Sequence, residues 1–247
     1  MDALREFYDE IASTQDRALD LARAGSGEGT VVVARRQTAG RGRLGHRWES
    51  PGGGLHLSII LAAPESHASL LPLALGAALC EEFGRTSRLP LAVKWPNDVL
   101  AIPPGSRSRK LAGILIDRVP SPRLGSAAVA GIGMNVASDP SAYPAELRPH
   151  LVGLAELVSP APSLEEVERT VVVAALDSAF RLRTSQGHAK ALELCRRLLW
   201  GIGRQAEVDG RPVGRIVALG EEGELWVEDG QERVAIRAGD LRVEEAS

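Results

Sequence analysis

The chain has 247 residues, 44% of them hydrophobic, and a formal net charge of −3 at neutral pH. That length and apolar content suit one large globular domain or one with a small appendage, and the mild acidity excludes the global basic field of a nucleic-acid-binding protein. No window holds eighteen uninterrupted apolar residues and the Met1-Asp-Ala-Leu-Arg-Glu-Phe-Tyr8 end carries no apolar export run, so no membrane partner is expected and the expected compartment is the cytoplasm.

The first element is a short strand, Phe7 to Ile11. Ser13 or Thr14 then makes an N-cap for a helix reaching about Arg23, which Gly25 ends. Strands Thr30 to Arg35 and Leu55 to Leu61 flank a loop rich in glycine and arginine. A helix is predicted over Ala68 to Thr86, where Leu71, Leu75, Leu79 and Phe83 recur at spacing four, followed by a strand from Leu91 to Trp95. Val99 to Ile102 and Lys110 to Asp117 form a hairpin across a Pro- and Gly-rich connection, and Ala127 to Val136 is a further strand. Pro140 to Pro162 is irregular and proline-rich. Ser163 caps a helix from Leu164 to about Arg183, and another runs from His188 to Leu199.

From Gly203 the pattern changes to short β-runs separated by Gly or Asp-Gly turns: Gln205 to Val208, Val213 to Leu219, Leu225 to Val227, Val234 to Ile236 and Leu241 to Val243. The layout is α+β, a mixed sheet with helices packed on one side, in residues 1–202, with a small five-stranded barrel in residues 203–247. Cys80 and Cys195 sit within helical patterns without metal-ligand spacing. They read as buried thiols rather than as a disulfide or a zinc site.

The chemistry concentrates in the loop Gln37-Thr-Ala-Gly-Arg-Gly-Arg-Leu-Gly-His-Arg-Trp48. Glycines allow the backbone to approach a ligand, and guanidinium forks match carboxylate and phosphate oxygens, so the loop is a candidate anion clamp. Gly40, Gly42 and Gly45 also spell the spacing of a dinucleotide fingerprint. That reading fails, because the fingerprint must open into a helix, whereas Trp48-Glu-Ser-Pro-Gly-Gly-Gly54 leads into another strand. Two further clusters follow: Val93-Lys-Trp-Pro-Asn-Asp98, a strand ending in a turn, and Arg109-Lys-Leu-Ala-Gly-Ile114, a lysine at the mouth of a buried strand.

In this order, with Ser13-Thr14-Gln15 upstream and Gly131-Ile-Gly-Met-Asn135 downstream, these motifs closely resemble the biotin protein ligases over residues 8 to 136. The resemblance implies a catalytic domain of the biotin-ligase type, related to class II aminoacyl-tRNA synthetases, and an SH3-like C-terminal domain. It implies that biotin is activated by ATP, with Mg2+ accompanying the nucleotide, to biotinyl-5′-AMP. The biotinyl group then passes to a lysine of a biotin carboxyl carrier protein, the biotinyl domain of acetyl-CoA or acyl-CoA carboxylase. No protein metal site is expected, and a homodimer is left open. Lipoate ligases and octanoyltransferases share the broad fold but not this combination of motifs. Family members that repress transcription carry an N-terminal helix-turn-helix domain, and with a first motif at Ser13 none is expected here.

By the same resemblance, Lys110 and Arg41 are the catalytic cations. Lys110 stabilises anionic oxygens through both half-reactions, and Arg41 grips the phosphate or carboxylate end. Ser13, Thr14 and Gln37 meet the ureido ring, with Gln15 standing where the family has asparagine, while Gly40 and the Gly113 backbone border the biotin slot. Arg43 and Trp48 close the loop over the acyl-adenylate, and the loop is expected to gain order when ligand binds. Asn135 falls at the adenine position, with Trp48 as a stacking surface, and Lys94, Asn97 and Asp98 line the nucleotide side. Read from the residues alone, Ser13-Thr14 also suits a helix cap, Asn135 a strand-end turn, and Asp98 the Pro-Asn-Asp turn.

Overall fold

The computed structural model describes residues 4–244; residues 1–3 and 245–247, the outer ends of the two expected segments, lie outside the described residues. In chain order the elements are β1 (Arg5–Ile11), α1 (Thr14–Arg23), β2 (Val31–Gln37), β3 (Leu55–Leu61), α2 (Leu70–Gly84), β4 (Leu91–Lys94), β5 (Asp98–Ala101), β6 (Arg109–Ser121) and β7 (Gly125–Met134). A one-turn helix α3 (Leu154–Leu157) and helices α4 (Leu164–Arg181) and α5 (Ser185–Leu198) follow. The chain then forms β8 (Gln205–Val208), β9 (Arg211–Leu219), β10 (Leu225–Asp229), β11 (Glu232–Ile236) and β12 (Leu241–Val243).

The first seven strands make one mixed sheet in the order β1-β2-β3-β7-β6-β5-β4, parallel only between β1 and β2. Strand alternation divides its side chains between two apolar layers. Val31, Val33, Leu57 and Ile59 face a large core shared with α2, α4 and α5. Val32, Ile60, Val119, Ala127 and Val129 face the opposite way, onto Ala18, Leu19, Leu21 and Ala22 of α1. The three long helices thus lie together on one face as expected, and α1 covers part of the other. The Ser13 hydroxyl caps α1 by accepting the Asp16 N–H at 3.3 Å. At α4 the expected cap is a reciprocal box, in which Ser163 N–H donates to Glu166 Oε2 at 2.8 Å and Glu166 N–H to Ser163 Oγ at 3.3 Å.

Strands β8 to β12 form a second, wholly antiparallel sheet in the order β11-β10-β9-β8-β12, the SH3-like part of the chain. Its first hairpin turns on Asp209 and Gly210 at φ 51° and 74°, the paired positive dihedrals that an Asp-Gly turn of this kind requires. The two sheets are not separate in packing. Ala206, Ile216, Leu225 and Leu241 belong to the same apolar cluster as the main core, and the indole of Trp95, 2% exposed, donates to the Gly223 carbonyl at 2.9 Å. Truncation after Gly203 is therefore expected to destabilise the remaining domain by at least about 3 kcal/mol, the scale of losing the cover of a large buried aromatic. Urea unfolding followed by circular dichroism measures it, and an unchanged midpoint would show that the second sheet supports nothing.

Candidate active site

On the face that α1 covers, the surface beyond the helix is lined by glycines on β7 and β6 and by a serine on β3. On β7 the row runs Ala127, Val129, Gly131, Gly133; on β3, Ile60, Ser58, His56; on β6, Val119, Asp117, Leu115, Gly113. Register brings the small residues together, with Gly133 opposite both Gly113 and His56, and Gly131 opposite both Leu115 and Ser58. A cavity of about 290 Å³ opens there. The glycines are needed for close approach: a Cβ on Gly131 would lie 2.5 Å from Gln15 Oε1, and one on Gly133 2.2 Å from Trp48 Cε2.

The β2–β3 side of the cavity is polar but uncharged. Gln37 Oε1 accepts from Thr14 N–H at 2.8 Å and from Thr14 Oγ1 at 3.1 Å, while its amide nitrogen donates to Ser50 Oγ at 3.2 Å. Thr14 Oγ1 lies 2.9 Å from Ser58 Oγ, and Ser58 donates to Gln15 Oε1 at 3.0 Å. Ser58 was not among the residues singled out from sequence. Its signal was a lone hydroxyl inside the apolar run Leu55 to Leu61. Gln15 turns its amide nitrogen away, donating to Val129 O at 3.0 Å and Asp117 Oδ2 at 3.2 Å.

The β6–β5 side is cationic. Lys110 Nζ lies 2.7 Å from Asp98 Oδ1 and 5.4 Å from the centre of the Trp48 ring. Arg43 Nη1 reaches Asn97 Oδ1 and the Gly239 carbonyl, each at 3.4 Å, so the second sheet meets the cavity here, where Asp240 also lines it. Asn97 is fixed from behind by donating its amide to Ile114 O at 2.8 Å. Arg41, at the mouth, pairs with Asp16 at 2.7 Å and Asp117 at 3.4 Å.

The Arg-Gly loop is tied by its own backbone bonds. Gly42 N–H donates to His46 O at 2.7 Å and Trp48 N–H to Gly40 O at 3.0 Å, and Arg41 bridges Arg47, so the loop doubles back on itself. At its tip Leu44 adopts φ 53° and is 64% exposed. The Trp48 ring rests on Gly133 and Gly113, and its buried indole N–H finds no acceptor among the described residues.

Of the residues singled out from sequence, Thr14, Gln15, Gln37, Arg41, Arg43, Trp48, Asn97, Asp98, Lys110, Gly113 and Asn135 line this one cavity. Ser13, Gly40 and Lys94 do not. Ser13 caps α1, Gly40 supplies the carbonyl that Trp48 bonds, and the carbonyl of Lys94 closes the turn to Asn97 N–H at 3.1 Å. The Asn135 side chain donates to Lys110 O at 3.1 Å and accepts from Tyr143 OH at 2.8 Å, so both ends of its amide have protein partners. The two thiols lie in the main core; burial pushes Cys80 up and Cys195 up to about 12, as inert structural cysteines.

The family model for the biotin/lipoate A/B protein ligase family matches residues 8–135, and this chain belongs to that family. Among its relatives, a biotin–[acetyl-CoA-carboxylase] ligase of Mycobacterium tuberculosis is 31% identical over 94% of this chain and 87% of its own length. The bifunctional ligase/repressor BirA of Bacillus subtilis is 29% identical over 96% of this chain and 73% of its own. Among solved structures, the biotin protein ligase of Aquifex aeolicus in complex with biotin and ATP superposes with a TM-score of 0.79 at 27% identity, covering 98% of this chain and 99% of that one.

Two outcomes follow from the packing of this face. His56 is 2% exposed, and burial lowers its imidazole to about 4 from the usual 6.5. The unfolded chain therefore binds the extra proton first. The stability that neutral His56 contributes is intact above pH 6.5 and is lost as pH falls from 6.5 to 4, by about 3 kcal/mol in all. Urea midpoints of the wild type should fall relative to those of His56→Gln across that window, and parallel curves would contradict it. Gly133→Ala is expected to lift Trp48 off the sheet, because the indole occupies the space of the new methyl. The Trp48 indole 15N–1H resonance, assigned with Trp48→Phe, should shift and gain solvent exchange; an unmoved resonance would contradict the packing.

Proposed function

We propose that this protein is a biotin–[acetyl-CoA-carboxylase] ligase, which activates biotin with ATP and transfers the biotinyl group to a lysine of a carboxylase carrier domain in the cytoplasm. One observation carries the reading. A single cavity crosses the sheet from an uncharged hydrogen-bonding end at Thr14, Gln37 and Ser58, over a glycine floor, to a cationic end at Lys110 and Arg43. With strands about 4.8 Å apart, the crossing from β2 to β5 suits a ligand with a neutral polar head, an apolar middle and an anionic tail. Biotin has that form: a ureido ring, a thiophane and valeryl chain, and a carboxylate. A lipoyl or octanoyl chain has no amide for the uncharged end, which favours biotin within this family.

The reaction has two displacements. A carboxylate oxygen of biotin attacks the α-phosphorus of ATP, the bond to the β-phosphate oxygen breaks, and pyrophosphate leaves. The amine of the carrier lysine then attacks the acyl carbon, the bond to the AMP oxygen breaks, and the amine proton passes to water. Lys110, oriented by Asp98, meets the charge that grows on the α-phosphate oxygens, and Arg43 shares it from the Asn97 side. Arg41 directs the carboxylate at the mouth. Trp48 and the folded loop cover the mixed anhydride, which water would otherwise hydrolyse. Asp98 and Asp240 are carboxylates of the cavity wall that fit the waters of a nucleotide-bound Mg2+, an ion that takes few protein ligands and neutralises phosphate charge when bound.

Incubation with biotin, magnesium ATP and a carrier domain, read by mass spectrometry, should give a biotinyl adduct on one carrier lysine. Lys110→Ala is expected to stay folded and bind biotin while pyrophosphate release falls roughly 10²–10³-fold, the scale of losing one preorganised charge. Near-normal release by that variant, or no adduct with the wild type, would overturn the reading.

A further inference from the structure

Arg41 sits between two glycines, and the direction of its guanidinium is set by two ion pairs. Of its two carboxylate partners, Asp16 lies in the first turn of α1, with its side chain 57% exposed. Asp117 is different. It stands on β6 within the sheet, 28% exposed, and its Oδ2 also accepts from Gln15 Nε2 at 3.2 Å. Gln15 is itself fixed in orientation, because its oxygen accepts from Ser58 and its nitrogen donates to Val129 O as well as to Asp117. A contact chain thus runs from Ser58 at the uncharged end, through Gln15 and Asp117, to the guanidinium at the mouth.

We infer that Asp117, held by Gln15, is a positioning residue for the ligase reaction: it fixes the Arg41 guanidinium in direction over the cavity. This rests on the function proposed above. Two carboxylates occupy Nη1 and Nη2 of Arg41, and a guanidinium carries five N–H donors, so donors remain for a substrate oxygen. Such exposed pairs add little to stability. Their effect lies in direction, since an arginine free to swing must be ordered again in every transition state. Gln15 has the length for this role. The asparagine side chain is one methylene shorter, and from the same backbone it cannot span from Ser58 to Asp117 and Val129 together.

The test combines kinetics with ligand-free proteolysis. Asp117→Asn is expected to lower kcat for biotin-dependent pyrophosphate release about tenfold with little change in the KM for biotin, as for an interaction that counts in the transition state. Asp117→Glu should recover much of the loss, and in an Arg41→Ala background Asp117→Asn should have no further effect. Without ligand, trypsin should cut after Arg41 several-fold faster in Asp117→Asn and in Gln15→Asn than in the wild type, with cut sites mapped by mass spectrometry. An Asp117→Asn effect that persists in the Arg41→Ala background, or an unchanged cutting rate after Arg41, would overturn the inference. A wild type that releases no pyrophosphate would strike at the ligase reading, and the positioning claim would fall with it. The trypsin comparison would still decide by itself whether Asp117 anchors Arg41.

Discussion

The absence of side chains at Gly113, Gly131 and Gly133 is the constraint on which the site depends. These residues fall on the one face of β6 and β7 that the long helices do not cover, and register places them side by side. Where α1 packs, the rows carry Val119, Ala127 and Val129 and the surface is filled; beyond the helix, Gly131 and Gly133 of β7 and Gly113 of β6 leave the sheet backbone itself as a floor. Binding groups then need only stand around the rim. Thr14 comes from the start of α1, Gln37 from the end of β2, Asp98 from β5 and Lys110 from β6, each at a place where a regular element begins or ends and its side chain is held by a backbone already fixed elsewhere.

The rim is also tied across, which explains how so many cations are tolerated together. Lys110 has Asp98, Arg41 has Asp16 and Asp117, and Arg43 has the Asn97 and Gly239 oxygens. Each cation is partly compensated by protein oxygens, so mutual repulsion is limited and the loop can fold over the cavity rather than splay from it. An incoming polyanion meets donors already aimed, with less reorganisation left to the binding step.

Most of the fold was legible in the sequence because its elements announce themselves locally. The capping box at Ser163 and Glu166, the Asp209-Gly210 turn and the alternation in the last five strands act within a few residues, and the structure has each of them. The strand carrying Lys110 was read only as far as Asp117, because Asp117, Arg118 and Pro120 interrupt the apolar pattern, yet β6 continues to Ser121 through a ladder that backbone pairing with β7 sustains. The placement of α1 on the opposite face was not legible either, since an amphipathic stripe shows that a helix packs but not against which side of a sheet. The same limit applies within the site. The motif residues could be placed by resemblance, whereas Ser58, Asp16, Asp117, Tyr143 and Asp240 join them only through contacts between segments far apart in the chain. Those contacts show too that Asn135 spends its amide on Lys110 and Tyr143 rather than presenting it freely to a ligand.

The Gly239–Asp240 corner has a practical consequence. Asp240 lines the cavity and β12 begins at the next residue, so Glu244 is only four residues, roughly 13 Å of extended chain, beyond the mouth. Any affinity tag, linker or reporter fused after β12 starts within reach of the opening and can fold back over it. Attachment ahead of β1 enters the fold at the far edge of the large sheet, with β2 and β3 between it and the strands that hold the glycine floor.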